Sequence, residues 1–335
     1  MFFVLCLHVC TQSGIADAPV SIPDDIIFKA LSEPGRTACS TFVMASAWLL
    51  SSSSFKVERI VMTWIKTLAY ILIVYFLFYH AYELPLSDFF PIGGGMLWFV
   101  SAYLCMLLFS PLMNAALSTC PKDLLKWTLL FTGIPMLVYP TLMLKDGFLG
   151  NYVVWFIWIY LLMGYLKRYP VKLFENKTLM ITGFLVLMGL RLFPRIEVRW
   201  SGRIPFFENL IPVLDWYSAV LWTIPNFLTA LCLFYIFADI KIKPNRLIAF
   251  FGKHTLAVYI LHQMPFFYDF LWNGIFQSRN HAGTAGEIPY MILVILCVFT
   301  AASLIDRFFD LLIFDRIRSL LEEPFKRINS RFLRE

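Results

Sequence analysis

Apolar runs of roughly 20 residues recur along the whole chain, and that recurrence limits the possible folds more than any other feature. A helix rises about 1.5 Å per residue, so each run is long enough to cross the hydrocarbon core of a bilayer. The runs fall at 37–53, 61–82, 96–118, 125–144, 152–166, 178–193, 216–238, 248–276 and 289–312. The first ten residues are also apolar but cover only about half a bilayer. They lack the basic start of a signal peptide, although Ala16-Asp-Ala18 resembles a cleavage site. The chain is read as starting partway through its first spanning helix. The expected fold is all-α, a polytopic transmembrane bundle of about ten helices. The expected domains are a transmembrane unit over 1–312 and a cytoplasmic basic amphipathic tail over 313–335. The segment 11–36 reads as a polar loop.

Charge supports a membrane protein and argues against nucleic acid. Charged residues make up 15% of the 335, against about 25% in a soluble domain. The net charge of +6 lies mostly in alternate loops. Taking the loop after 37–53 as cytoplasmic puts most Lys and Arg on one side, including Lys56, Arg59, Lys66, Lys241, Lys243, Arg246 and Lys253. By the positive-inside rule both termini are then cytoplasmic. Arg191, Arg195, Arg199 and Arg203 stand together in one outward loop. The seven cysteines are scattered, mostly within apolar runs, and read as small buried residues rather than a disulfide set. Cys6 and Cys10 share a helical face from which His8 points away, so no metal site is expected there.

The most polar of the apolar segments is Gly252-Lys-His-Thr-Leu-Ala-Val-Tyr-Ile-Leu-His262. Ionisable and hydroxyl groups are costly in hydrocarbon and face a protein interior or a wet cavity. Thr255, Tyr259 and His262 fall at i, i+4 and i+7 and so share one helical face, while His254 points elsewhere. The bland alternative is that each simply bonds a neighbouring helix.

In the order Gly-x-x-(Ser/Thr)-Leu-x-x-Tyr-x-x-His, this segment resembles the ninth-helix signature of acyltransferase family 3, membrane enzymes that modify bacterial surface glycans. Four further stretches are similar to that family in the same order. Cys39-Ser-Thr-Phe-Val-Met-Ala-Ser-Ala-Trp-Leu-Leu50 resembles its second helix, and Ser46 fits the pattern. Phe55-Lys-Val-Glu-Arg59 resembles the basic entry to the third. Leu97-Trp-Phe-Val-Ser-Ala-Tyr103 with Ser110-Pro-Leu-Met-Asn114 resembles the fourth, and Tyr160 to Gly164 the sixth. The family's first helix carries an Arg about ten residues before the proposed catalytic His. His8 matches that His, and the Arg would lie upstream of Met1.

The resemblance implies an O-acyltransferase that takes acetyl or another short acyl group from cytosolic acyl-CoA. The acceptor would be a hydroxyl of a cell-surface or lipid-linked polysaccharide. The enzyme would sit in the bacterial plasma membrane and hold no bound cofactor. A sugar hydroxyl needs a general base, and histidine has a suitable pKa. His8 is the candidate base. Arg36, Ser46, Trp98, Tyr103, Tyr259 and His262 are candidate substrate residues, against plain interfacial or packing roles. Lys56, Arg59 and Lys253 are candidates for the acyl-CoA phosphates. Two other readings remain at this point: a transporter or flippase of lipid-linked glycans, and an inactive truncated member of the family.

Overall fold

The structure, a computed structural model, describes residues 1–78, 97–238, 240, 243 and 245–332. Residues 79–82 of the apolar run 61–82, Met96, the basic-loop residues Asp239, Lys241, Ile242 and Pro244, the Arg331 side chain and Arg334 lie outside them. The described residues are helical, without strands. In order the helices are α1 Phe2–Gln12, α2 Ile22–Ser32, α3 Pro34–Leu50, α4 Val57–Phe78, α5 Trp98–Thr119, α6 Lys122–Gly133, α7 Tyr139–Met143, α8 Tyr152–Arg168 and α9 Lys172–Glu175. There follow α10 Lys177–Trp200, α11 Pro205–Ala219, α12 Ile224–Ala238, α13 Arg246–Gln263, α14 Pro265–Asp269, α15 Glu287–Phe309, α16 Asp315–Leu320 and α17 Glu322–Phe332.

Among the described residues, four helical spans are long and apolar enough to cross a membrane: Val57–Phe78, Trp98–Thr119, Lys177–Trp200 and Glu287–Leu320. The pair α11 and α12 makes a fifth if counted as one span, bent by 51° at its break. The chain is therefore a helical bundle of membrane-spanning character, with about ten spans remaining an expectation. The apolar run 289–312 is the middle of a longer rod. Helix α15 passes through a π-helical turn, Asp310–Phe314, straight into α16.

Three segments differ from the sequence expectation. The polar stretch after α1 is not all loop. Ser21 accepts from the Asp24 amide, Pro23 sits in the first turn, and Asp24 and Asp25 suit the helix dipole, so α2 forms. The run 216–238 is interrupted. Its first residues end α11, and Asn226 holds the break by donating to the Val220 carbonyl (3.1 Å) while accepting from Thr37 (2.5 Å). The arginines expected in one loop lie instead along α10. Arg191, Arg195 and Arg199 recur every four residues, which stacks them on one face. That face meets Glu33 at the α2–α3 corner and Asp25 in the first turn of α2.

Two glycines let helices approach closely. A Cβ on Gly35 would stand 2.3 Å from Leu7 Cβ and 2.8 Å from the Phe3 carbonyl, so α1 presses directly on the start of α3. A Cβ on Gly164 would stand 2.3 Å from Leu117, which sets α8 against α5. One core joins α3, α4, α5, α8, α12 and α13, and a second joins α1 and α2 to α13 and α15. Cys6 and Cys10 are buried in the second, where Cys10 Sγ lies 3.6 Å from Met291 Sδ. Helix α13 belongs to both cores and forms the spine of the site.

Candidate active site

Helix α13 ends where it does because of Pro265. The preceding Met264 is driven extended (φ −67°, ψ 123°), so His262 and Gln263 occupy the last turn. Helix α1, seated on Gly35, lays His8 against that turn. His8 Nδ1 lies 2.7 Å from His262 Nε2, although the two residues are 254 apart in sequence. His262 is 1% exposed and His8 is half-buried.

The hydrogen bonds determine the tautomers of a neutral pair. A backbone carbonyl can only accept, so His262 Nδ1 donates its proton to Val258 O. His262 Nε2 then carries a lone pair and accepts from His8 Nδ1–H. The remaining nitrogen of His8, Nε2, is left unprotonated. This orients a base in the way that an acceptor behind a catalytic imidazole does.

His8 lines a cavity of about 470 Å³, the histidine cavity. Arg36, Trp98 and Tyr259 line it too, joined by Gln12, Gln263, Glu33, Arg195, Asp215 and Ser218. Trp98 stacks on Tyr152 at 4.1 Å between centroids, forming a flat wall. Arg195 is neutralised by Glu33 (3.2 Å) and Asp215 (2.9 Å). Arg36 has no hydrogen-bond or ion-pair partner among the described residues. His262 touches this cavity only through His8, supporting it from behind.

A second cavity of about 480 Å³, the lysine cavity, opens at the other end of the bundle. Lys56, Arg59 and Lys253 all line it, together with Lys66 and Arg318. Lys253 lies within α13, paired with Asp310 at 3.1 Å. Lys66 lies 3.0 Å from Asp306 and 2.5 Å from Asp310, two aspartates on the α15 rod. Tyr70 donates to Asp306 Oδ1 (2.5 Å) and His254 Nδ1 donates to Asp306 Oδ2 (2.5 Å). His254, Asp306 and Asp310 have a metal-ligand set's spacing, but the Lys66 ammonium already bridges the two carboxylates.

A narrow void of about 20 Å³, the throat, shares lining residues with both cavities. It shares Val4, Cys39 and Tyr259 with the histidine cavity, and Phe42, Thr255 and Leu256 with the lysine cavity. The shared face of Thr255 and Tyr259 read from the sequence is the wall of this passage.

The structure divides the candidate substrate residues. Trp98 and Tyr259 stand with His8 and Arg36, but Tyr103 lines the lysine cavity, where its hydroxyl reaches Ser46 Oγ at 3.4 Å. Ser46 lines neither cavity and supports Tyr103. Asn114 ties α5 to its neighbours, donating to Leu50 O (3.3 Å) and accepting from Tyr160 (2.9 Å). Lys66, Asp306 and Asp310 were not singled out as site residues, although charges inside apolar runs are a direct signal. Gln12, Gln263 and Ser218 carried no such signal, because uncharged polar residues at helix ends are common.

No curated protein and no solved structure matches the chain. A family model does. The acyltransferase family 3 model, described as an acyltransferase domain, matches residues 1–307, which include the whole lining of the histidine cavity and the throat and all of the lysine cavity's lining except Arg318; the chain belongs to that family.

Proposed function

We propose that this protein is a membrane O-acyltransferase that moves an acetyl or other short acyl group from acyl-CoA to a hydroxyl of a surface or lipid-linked glycan. The observation that carries the reading is the oriented His8–His262 pair beside a polar cavity, with a narrow throat that shares walls with it and with a second cavity lined with cations. A membrane acyltransferase whose donor and acceptor lie on opposite sides needs such a passage.

In this reading the lysine cavity faces the cytoplasm. Lys56, Arg59 and Lys253 hold the phosphates of acyl-CoA by charge-assisted bonds. The thioester arm enters the throat and presents its carbonyl at the histidine cavity. The sugar packs on Trp98, and Arg36 orients it. His8 Nε2 takes the hydroxyl proton as the sugar oxygen attacks the thioester carbonyl carbon. Its Nδ1–H stays bonded to His262 Nε2, which steadies the imidazolium. Collapse of the tetrahedral intermediate breaks the carbon–sulfur bond. The leaving thiolate takes the proton from His8, so the base is restored. A general base contributes about 10²–10⁴-fold.

The test supplies labelled acetyl-CoA to membranes carrying the protein, with a glycan acceptor. Label in a base-labile ester on the glycan is expected. Glycan crossing the membrane without gaining an ester would overturn the reading in favour of transport. Sidedness is checked with an impermeant thiol reagent. Added outside intact cells, it should leave Lys243→Cys unlabelled and label Arg203→Cys.

A further inference from the structure

Tyr259 carries a group that packing does not explain. Its side chain is 4% exposed, yet its hydroxyl donates to no acceptor among the described residues. A buried hydroxyl that cannot donate is destabilising, so a membrane helix gains nothing by keeping one for packing alone. Phe would fill the same space against Phe99, whose ring lies 5.4 Å away, and against His262, whose ring lies 6.1 Å away and nearly perpendicular.

The position of Tyr259 is as informative as its lack of a partner. It is one of three residues that line both the histidine cavity and the throat. It stands one helical turn before His262, whose ring orients His8. Its polar neighbour is the Phe99 amide in the first turn of α5, a group that can only donate. Among the described residues no acceptor takes the Tyr259 proton. A bound carbonyl oxygen at the throat's mouth would be such an acceptor.

We infer that the Tyr259 hydroxyl is the oxyanion donor of the acyl transfer: it hydrogen-bonds the thioester carbonyl oxygen where the throat opens beside His8. The inference rests on the acyltransferase reading and adds a catalytic role to a residue otherwise read as lining. As the sugar oxygen attacks, the carbonyl oxygen gains negative charge and the bond from Tyr259 strengthens. When the carbon–sulfur bond breaks, the charge returns to the carbonyl and Tyr259 keeps its proton. No proton is transferred by Tyr259, in contrast to His8. The arrangement separates the two tasks of acyl transfer, base and oxyanion donor, onto α1 and α13. It also leaves Arg36 free for the acceptor.

The experiment compares wild type with Tyr259→Phe in proteoliposomes, using labelled acetyl-CoA and a glycan acceptor that wild type esterifies. The expected result is a kcat lower by about 10²–10³-fold, with KM for both substrates unchanged, as for loss of one oxyanion donor. Equal kcat, or a raised KM at unchanged kcat, would overturn the inference. A second readout does not need turnover. With ¹³C-carbonyl acetyl-CoA bound and no acceptor, the carbonyl stretch should lie lower in wild type than in Tyr259→Phe. Identical frequencies would also overturn it. If Tyr259→Phe does not fold, Tyr259→Leu is measured by the same two readouts. A wild type that forms no ester with any acceptor instead removes the acyltransferase reading itself.

Discussion

The two cavities are nearly equal in volume, about 470 and 480 Å³, but they treat charge in opposite ways. In the lysine cavity most cations are already paired within the protein. Lys66 and Lys253 share Asp310, Lys66 also meets Asp306, and Arg318 meets Glu58 at 3.2 Å. In the histidine cavity Arg195 is paired as well, but among the described residues Arg36 has no ion-pair partner and the Tyr259 hydroxyl no acceptor beside His8. The first is suited to anchoring a polyanion, because Lys66, Lys253 and Arg318 are held in place by carboxylates while Lys56 and Arg59 have no ion-pair partner among the described residues. The second keeps a few unsatisfied groups aimed into a small space, which suits transition-state stabilisation.

The largest expected effect is at His8. His8→Ala should lower transfer by about 10²–10⁴-fold while the amount of inserted protein is unchanged. His262→Ala should cost less, because it removes the orienting acceptor and leaves the base. His262→Gln, whose amide oxygen can accept from His8, should recover part of that loss. His254→Ala, at the other cavity, should leave kcat unchanged. A His254→Ala loss equal to that of His8→Ala would end the division of labour between the cavities.

Next in size is Asp306, the acceptor for Lys66, Tyr70 and His254. Removing one partner of a buried charged network costs about 3–5 kcal/mol. Asp306→Ala should therefore lower the unfolding midpoint in detergent far more than Asp215→Ala, whose carboxylate at the histidine cavity is 63% exposed. Equal losses would mean that the lysine-cavity charges are not the more tightly balanced set. Lys56→Ala or Arg59→Ala should raise KM for acyl-CoA about tenfold, increasingly so as salt is lowered, with kcat held. A fall in kcat at unchanged KM would move these residues out of the anchoring role. The smallest effect is expected for Glu58→Gln. Its pair with Arg318 is partly exposed, so the stability change should be within about 1 kcal/mol.

The sequence was most legible where one segment determines its own structure. Apolar runs of spanning length marked α4, α5, α10 and α15, and the order of short motifs marked the family. The shared face of Thr255 and Tyr259 followed from helical periodicity and became one wall of the throat. The basic residues Lys56, Arg59 and Lys253 could be grouped because topology alone puts them at one end. Legibility failed where a partner is distant. The α10 arginines read as a loop until Glu33 and Asp25 stood opposite them. Tyr103 and Trp98, five residues apart on α5, read as one site and belong to two.

Helical class, membrane character, family and the polar face of α13 were thus determined by the sequence itself, because periodicity and hydropathy act within a single helix. The pairing of His8 with His262 was decided only by tertiary structure. It needs the close seat of α1 on Gly35 and the end of α13 at Met264-Pro265 at the same time. Neither local pattern contains the other. The tautomer that leaves His8 Nε2 unprotonated arises only when those two helix ends meet.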